Sequence, residues 1–189
     1  MTDRKSAKHL IIGGGIIGCS IAYHLAKYGE TDIVLLEKAN LTEGATWHAA
    51  GLVGQLRSSR NTTRMLKKSV EMYDKLQNEE SLEFDWKKTG SLRLASTKER
   101  LLEAKRLATM ARSFDLEMLM ITPQEAKELF PLIEENGLYG AAFIPSDGYV
   151  DPSALCNAIA NAARKYGAQI NQNVPCLLYT SPSPRDRSI

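Results

Sequence analysis

The feature that most limits what this chain can fold into is a glycine turn near its start, Gly13-Gly14-Gly15-Ile16-Ile17-Gly18. It lies between an apolar stretch, His9-Leu10-Ile11-Ile12, and a helical pattern. The stretch reads as a short buried strand. In the helix, Ile17, Ile21, Leu25 and Tyr28 recur at helical spacing. Gly13, Gly15 and Gly18 meet the pattern G-x-G-x-x-G. Gly13 permits the tight turn, Gly15 leaves room for a pyrophosphate at the backbone, and Gly18 lets helix and strand approach closely. The first helical N–H groups, at Ile16 and Ile17, then face the phosphates, and the helix dipole favours their negative charge.

A second strand, Asp32-Ile33-Val34-Leu35-Leu36, ends at Glu37. A carboxylate there accepts hydrogen bonds from a ribose 2′-OH and repels a 2′-phosphate, which argues against NADP. Strand, glycines, helix, strand and acid at this spacing predict a dinucleotide-binding βαβ unit. The fingerprint alone does not separate FAD from NAD. After Glu37, Lys38 opens a polar, small-residue loop, Lys38 to Thr46, where a helix would otherwise be expected. Such a loop suits an extended cofactor.

The next stretch, Gly44 to Arg57, reads GATWHAAGLVGQLR. It resembles the flavin-attachment segment of the sarcosine and dimethylglycine dehydrogenase family. The resemblance continues through Asp85 to Leu92, Leu129 to Leu132 and Asp147 to Pro152, and covers residues 8 to 173. It implies a Rossmann-like α/β FAD-binding domain with an inserted, incomplete α+β substrate domain. It also implies that His48 carries FAD covalently through the 8α carbon of the isoalloxazine ring. Thr46, Trp47, Ala50, Gly51 and Leu52 would line the same cofactor. Trp47 is expected beside the flavin or in the core. His48 has small neighbours, Ala49, Ala50 and Gly51, and neutral imidazole is a competent nucleophile near pH 7. His9 and His24 have no apparent partner and read as structural or surface residues.

Related amine oxidases hold the substrate carboxylate with an arginine soon after this loop. A guanidinium fork matches a carboxylate, and of Arg57 and Arg60 the reading favours Arg57. The implied reaction is oxidation of an N-methylated amino acid by hydride transfer, as an amine dehydrogenase or oxidase acting on CH–NH groups. Tetrahydrofolate and an electron-transfer acceptor are implied partners through regions outside this chain. The competing readings are a non-catalytic regulatory flavoprotein on the same scaffold and a related enzyme for another amine. His48 favours catalysis over the regulatory reading.

Composition agrees with a packed domain, since 43% of the 189 residues are hydrophobic. The net charge of +2 is interspersed, so no nucleic-acid footprint stands out. Cys19, Cys156 and Cys176 have neither metal-ligand nor disulfide-framework spacing. Neither a secretory signal nor a membrane span is legible, and the expected compartment is cytoplasmic, or the mitochondrial matrix in a eukaryote.

The expected organisation is the opening of the FAD domain over 1–60, part of the substrate domain over 61–150 and a return to the FAD domain over 151–175. Residues 176–189 abandon the apolar periodicity for Ser and Pro. They read as a non-native or disordered end, with a solvated native tail as the alternative. Relatives are several times longer, so the chain reads as the N-terminal part of a larger flavoprotein.

Overall fold

The computed structural model describes residues 6–176. In chain order its elements are β1 (His9–Ile12), α1 (Ile16–Lys27), β2 (Ile33–Leu36), β3 (Leu52–Val53) and α2 (Arg60–Asn78). There follow β4 (Ser91–Ala95), α3 (Lys98–Arg112), β5 (Leu119–Ile121), α4 (Pro123–Leu129) and β6 (Gly140–Ile144). The last are β7 (Gly148–Tyr149), α5 (Pro152–Lys165) and β8 (Gln169–Asn171). The described residues form two compact units, one of residues 6–50 and 152–176, the other of residues 51–151. The predicted tail lies outside the described residues except for Cys176, which is exposed.

The first unit is built on a parallel sheet of order β1-β2-β8. Leu10 pairs with Val34 and Leu35 with Ile170, so β8 joins this sheet beside β2. The central strand is the buried one, with Ile33, Val34 and Leu35 under 7% exposed. The expectation of a buried first strand is corrected. β1 lies at the edge of this sheet, and Leu10 and Ile12 are 57% and 76% exposed.

The packing face of α1 is corrected as well. Ile17, Ile21 and Tyr28 are exposed, whereas Gly18, Cys19, Ala22, Tyr23 and Ala26 are buried. That face packs along α5, whose own buried residues include Cys156, Ala160 and Ala163. Two helices meeting through glycine, alanine and cysteine approach more closely than a stripe of isoleucine permits. The close approach extends to the turn, because a Cβ on Gly18 would run into the Gly13 carbonyl oxygen.

The second unit holds an antiparallel sheet of order β4-β6-β5 and a small ribbon of β3 with β7, which the sequence pattern did not announce. Leu92 and Leu119 flank Phe143 across the central strand β6. The alanine face of α3 (Ala104, Ala108, Ala111) closes a core with Leu56, Leu116, Met118, Ala142 and Ile144. Thr122 and Glu125 form a reciprocal capping box at α4, the pattern Thr-x-x-Glu that marks a helix start in sequence. Ser59 and Thr97 accept from the third amide of α2 and α3.

Gly18→Ala tests the close approach. Helix propensity alone predicts a gain of about 0.5–1 kcal/mol from removing a helical glycine. The collision with the Gly13 carbonyl predicts a net loss of about 1–3 kcal/mol instead. Urea unfolding decides the sign, and stabilisation by Gly18→Ala would contradict this packing.

Candidate functional site

In the first unit, Gly13 turns the chain out of β1 with φ +108°, a left-handed conformation that glycine adopts without strain. Its N–H donates to the Leu36 carbonyl at 2.8 Å, tying the turn to β2. Gly15 is the N-cap of α1 and supplies no side-chain cap. The first helical amide, Ile16 N, donates to Thr46 Oγ1 at 3.0 Å. Among the described residues no acceptor meets the Ile17 or Gly18 N–H. The helix therefore presents two unsatisfied donors at its positive end, the arrangement an anion requires. A Cβ on Gly15 would sit 3.0 Å from Thr46 Oγ1, tighter than an ordinary contact.

Glu37 closes the other side of the turn. Its Oε2 accepts from Gly14 N at 2.6 Å and its Oε1 from Ala39 N at 2.9 Å. Burial raises its pKa, but the Gly14, Ala39 and Lys38 amides together outweigh that effect and hold it below the usual carboxylate range. The group is thus a fixed anion near neutral pH. Each carboxylate oxygen keeps a second lone pair, so both remain able to accept from ribose hydroxyls.

Gly14 is the residue that the motif reading missed. A Cβ there would lie 2.6 Å from Leu41 Cδ2 and 2.9 Å from Glu37 Cβ. Its carbonyl accepts from Thr42 N at 3.1 Å and from the Cys19 and Cys156 thiols at 3.6 and 3.7 Å. In G-x-G-x-x-G this position is an unspecified x. The only sequence signal for it was the run of three glycines.

The loop after Glu37 is non-helical, as expected, and is anchored to the segment behind β8. Leu41 N donates to Gln172 Oε1 at 2.7 Å, and Val174 N to the Glu37 carbonyl at 2.9 Å. Thr42 and Thr46 are buried, while Lys38, Trp47, His48 and Ala50 are exposed. Trp47 is 65% exposed, so of its two expected places, beside the flavin or in the core, the core is ruled out. Its ring meets that of His48 edge-on at 5.9 Å.

His48 Nδ1 lies 2.9 Å from the Gly44 carbonyl oxygen. A carbonyl can only accept, so Nδ1 carries the proton and Nε2 keeps the lone pair of the neutral ring. His9 and His24, read as unpartnered, do have partners. His9 Nε2 contacts Glu30 Oε2 at 2.9 Å, and His24 Nδ1 contacts the Ser20 carbonyl at 2.8 Å.

The turn thus gathers Gly13, Gly15, Ile16, Ile17, Gly18, Glu37 and Thr46, with Lys38 and His48 on the loop that supplies Thr46. Gly51, Leu52 and Arg57 belong to the second unit. Gly51 accepts from Val150 N at 3.0 Å, and Leu52, 80% exposed, pairs with Tyr149. Arg57 is exposed, with Nη1 donating to the Leu56 carbonyl at 2.8 Å. Arg60 opens α2 and, with Arg64, Lys67 and Phe114, lines a separate open cleft of about 750 Å³. Among the described residues no cluster of three or more His, Cys, Asp or Glu side chains is placed to hold a metal, and no helix is long and apolar enough to cross a membrane.

Comparison with known proteins agrees with this geometry. Residues 8–180 match the family described as FAD dependent oxidoreductase. Human mitochondrial sarcosine dehydrogenase is 40% identical over 172 residues, which is 90% of this chain and 19% of that protein. Rat mitochondrial dimethylglycine dehydrogenase is 41% identical over 182 residues, which is 96% of this chain and 21% of that protein. The chain thus spans roughly a fifth of the length of these relatives. Among solved structures, L-proline dehydrogenase from P. horikoshii superposes with a TM-score of 0.84 at 33% identity, covering 89% of this chain and 44% of that one. A glycine turn, an acid at the end of β2 and a free helix N-terminus, together with these matches, place the chain in the FAD dependent oxidoreductase family.

Proposed function

We propose that the full-length protein oxidises the C–N bond of N-methylated amino acids of the sarcosine and dimethylglycine type, with FAD attached covalently through His48. The observation that carries this reading is the state of His48. Its Nδ1 is engaged by the Gly44 carbonyl, and its Nε2 keeps the nucleophilic lone pair at an exposed position. His48 follows closely on Thr46, whose hydroxyl touches the first amide of α1. An imidazole held in this way has one nitrogen free to form a bond to carbon, and that nitrogen is Nε2.

The other roles follow from the same residues. The Ile17 and Gly18 amides would hold the diphosphate, and Glu37 would accept from the ribose hydroxyls. Thr46 Oγ1, already accepting from Ile16 N, keeps its own hydroxyl hydrogen for a phosphate oxygen. When bound, FAD supplies the two-electron oxidation that takes a hydride from the N-methyl carbon. Arg57, in the second unit, would hold the substrate carboxylate and so orient that carbon. The resulting imine hydrolyses to formaldehyde and the shorter amine.

Tetrahydrofolate capture of the one-carbon unit and onward electron transfer are assigned to regions beyond this chain. The mitochondrial relatives support a matrix location in a eukaryotic source.

Acid precipitation of the full-length protein should leave yellow colour on the polypeptide, and His48→Ala should release all of it to the supernatant. Peptide mapping should place the link on Nε2. Wild-type protein that gives up its flavin freely would refute the attachment. A second expectation concerns Glu37. In the His48→Ala background, Glu37→Gln should weaken FAD binding about tenfold, the scale of a charged hydrogen bond. Unchanged affinity in a fluorescence titration would remove the ribose role.

A further inference from the structure

The segment Gln55–Arg57 is held from two sides within the second unit. Thr63, on the first turn of α2, is fully buried at 0% exposure. Its Oγ1 accepts from Arg57 N at 3.0 Å and donates to the Arg57 carbonyl at 3.1 Å. A hydroxyl has one proton to give, and Thr63 gives it to the main chain of this one residue while also accepting from it. Two positions earlier, Gln55 N and Nε2 both donate to Asp147 Oδ1, at 2.9 and 3.0 Å. Asp147 is itself buried at 2% exposure and takes the Ser91 hydroxyl at 2.6 Å on its other oxygen.

Buried threonine and buried aspartate are uncommon, and both are here engaged in holding one short loop. The object held is the backbone that carries an exposed guanidinium. Of that guanidinium, Nη1 turns back to the Leu56 carbonyl, which fixes the side chain near its root. Among the described residues no acceptor takes its remaining N–H groups, which leaves them for an external carboxylate. A bidentate contact is sensitive to small displacements, because both hydrogen bonds must align at once. A fixed main chain therefore converts directly into affinity for the anion.

We infer that Thr63 is a positioning residue for substrate binding, its hydroxyl clamping both main-chain groups of Arg57 so that the guanidinium meets the substrate carboxylate. The inference rests on the reading of Arg57 given above. The Asp147–Gln55 contact is the second anchor of the same loop, and it leaves Thr63 as the only one of the two that touches Arg57 itself.

The test is a mutant cycle in the full-length flavoprotein, with sarcosine and dimethylglycine as substrates. Thr63→Val removes the hydroxyl at nearly constant shape. It should raise KM by roughly three- to tenfold, with kcat within about twofold of wild type. Thr63→Ser, which keeps the hydroxyl, should restore the wild-type KM. Arg57→Gln should raise KM more than tenfold, and adding Thr63→Val to it should change KM no further. A merely structural role would instead give additive losses in the double variant, and that result would overturn the inference. An unchanged KM in Thr63→Val, alongside an impaired Arg57→Gln, would also overturn it while leaving the Arg57 reading intact. An unchanged KM in Arg57→Gln would overturn the Arg57 reading and the inference together. If Thr63→Val loads flavin poorly, Thr63→Ala takes its place in the cycle. Amide hydrogen exchange at Arg57 gives an independent readout: faster in the variant without the hydroxyl supports the clamp, and equal protection in all variants contradicts it.

Discussion

The candidate cofactor site depends on the main chain of one residue, Gly14. Its N–H is taken by the Glu37 carboxylate, and its carbonyl receives the Thr42 amide and two buried thiols, one from α1 and one from α5. The glycine turn, the end of β2, the loop after it and both packed helices thus converge on four atoms of main chain. No side chain fits there, because a Cβ would collide with Leu41 and Glu37. Moving this residue would displace the helix N-terminus, the acid and the loop carrying Thr46 and His48 together. A buried residue with both main-chain polar groups satisfied is costly to move, and here it ties the start of α1 to Glu37 and the loop behind it.

Much of this was legible in the sequence because the relevant signals are local. The glycines, the strand ending in Glu37, the Thr122–Glu125 capping box and the absence of a helix after Glu37 each follow from short-range chemistry. The errors came where burial depends on partners distant in the chain. Ile17, Ile21 and Tyr28 have perfect helical spacing, yet they face outward. The choice of face was made by α5, more than a hundred residues later, whose alanines demand a small-residue surface. β1 looked central because it is apolar, but sheet order is not written in hydrophobicity. The two-residue strands β3 and β7 are too short to carry a periodic signal.

The site showed the same division. The motif named Gly13, Gly15 and Gly18, whose roles in the turn, the pyrophosphate approach and the helix–strand packing are those of the βαβ unit itself. It passed over Gly14 because that role concerns the protein's own loop and carboxylate. Thr63 carries no motif and became visible only through its two hydrogen bonds to Arg57. His48 was singled out by resemblance, and the tautomer that leaves Nε2 reactive required the Gly44 carbonyl to be located.

In the arrangement proposed, a flavin dinucleotide would lie with its diphosphate on the open amides of α1 and its ring joined to the imidazole of the following loop. A crystal structure of the full-length protein purified with its flavin tests this most directly. It should show continuous density from His48 Nε2 to the 8α carbon, and diphosphate oxygens within hydrogen-bond distance of the Ile17 and Gly18 amides. Density that ends at His48, with the diphosphate bound away from the glycine turn, would contradict it.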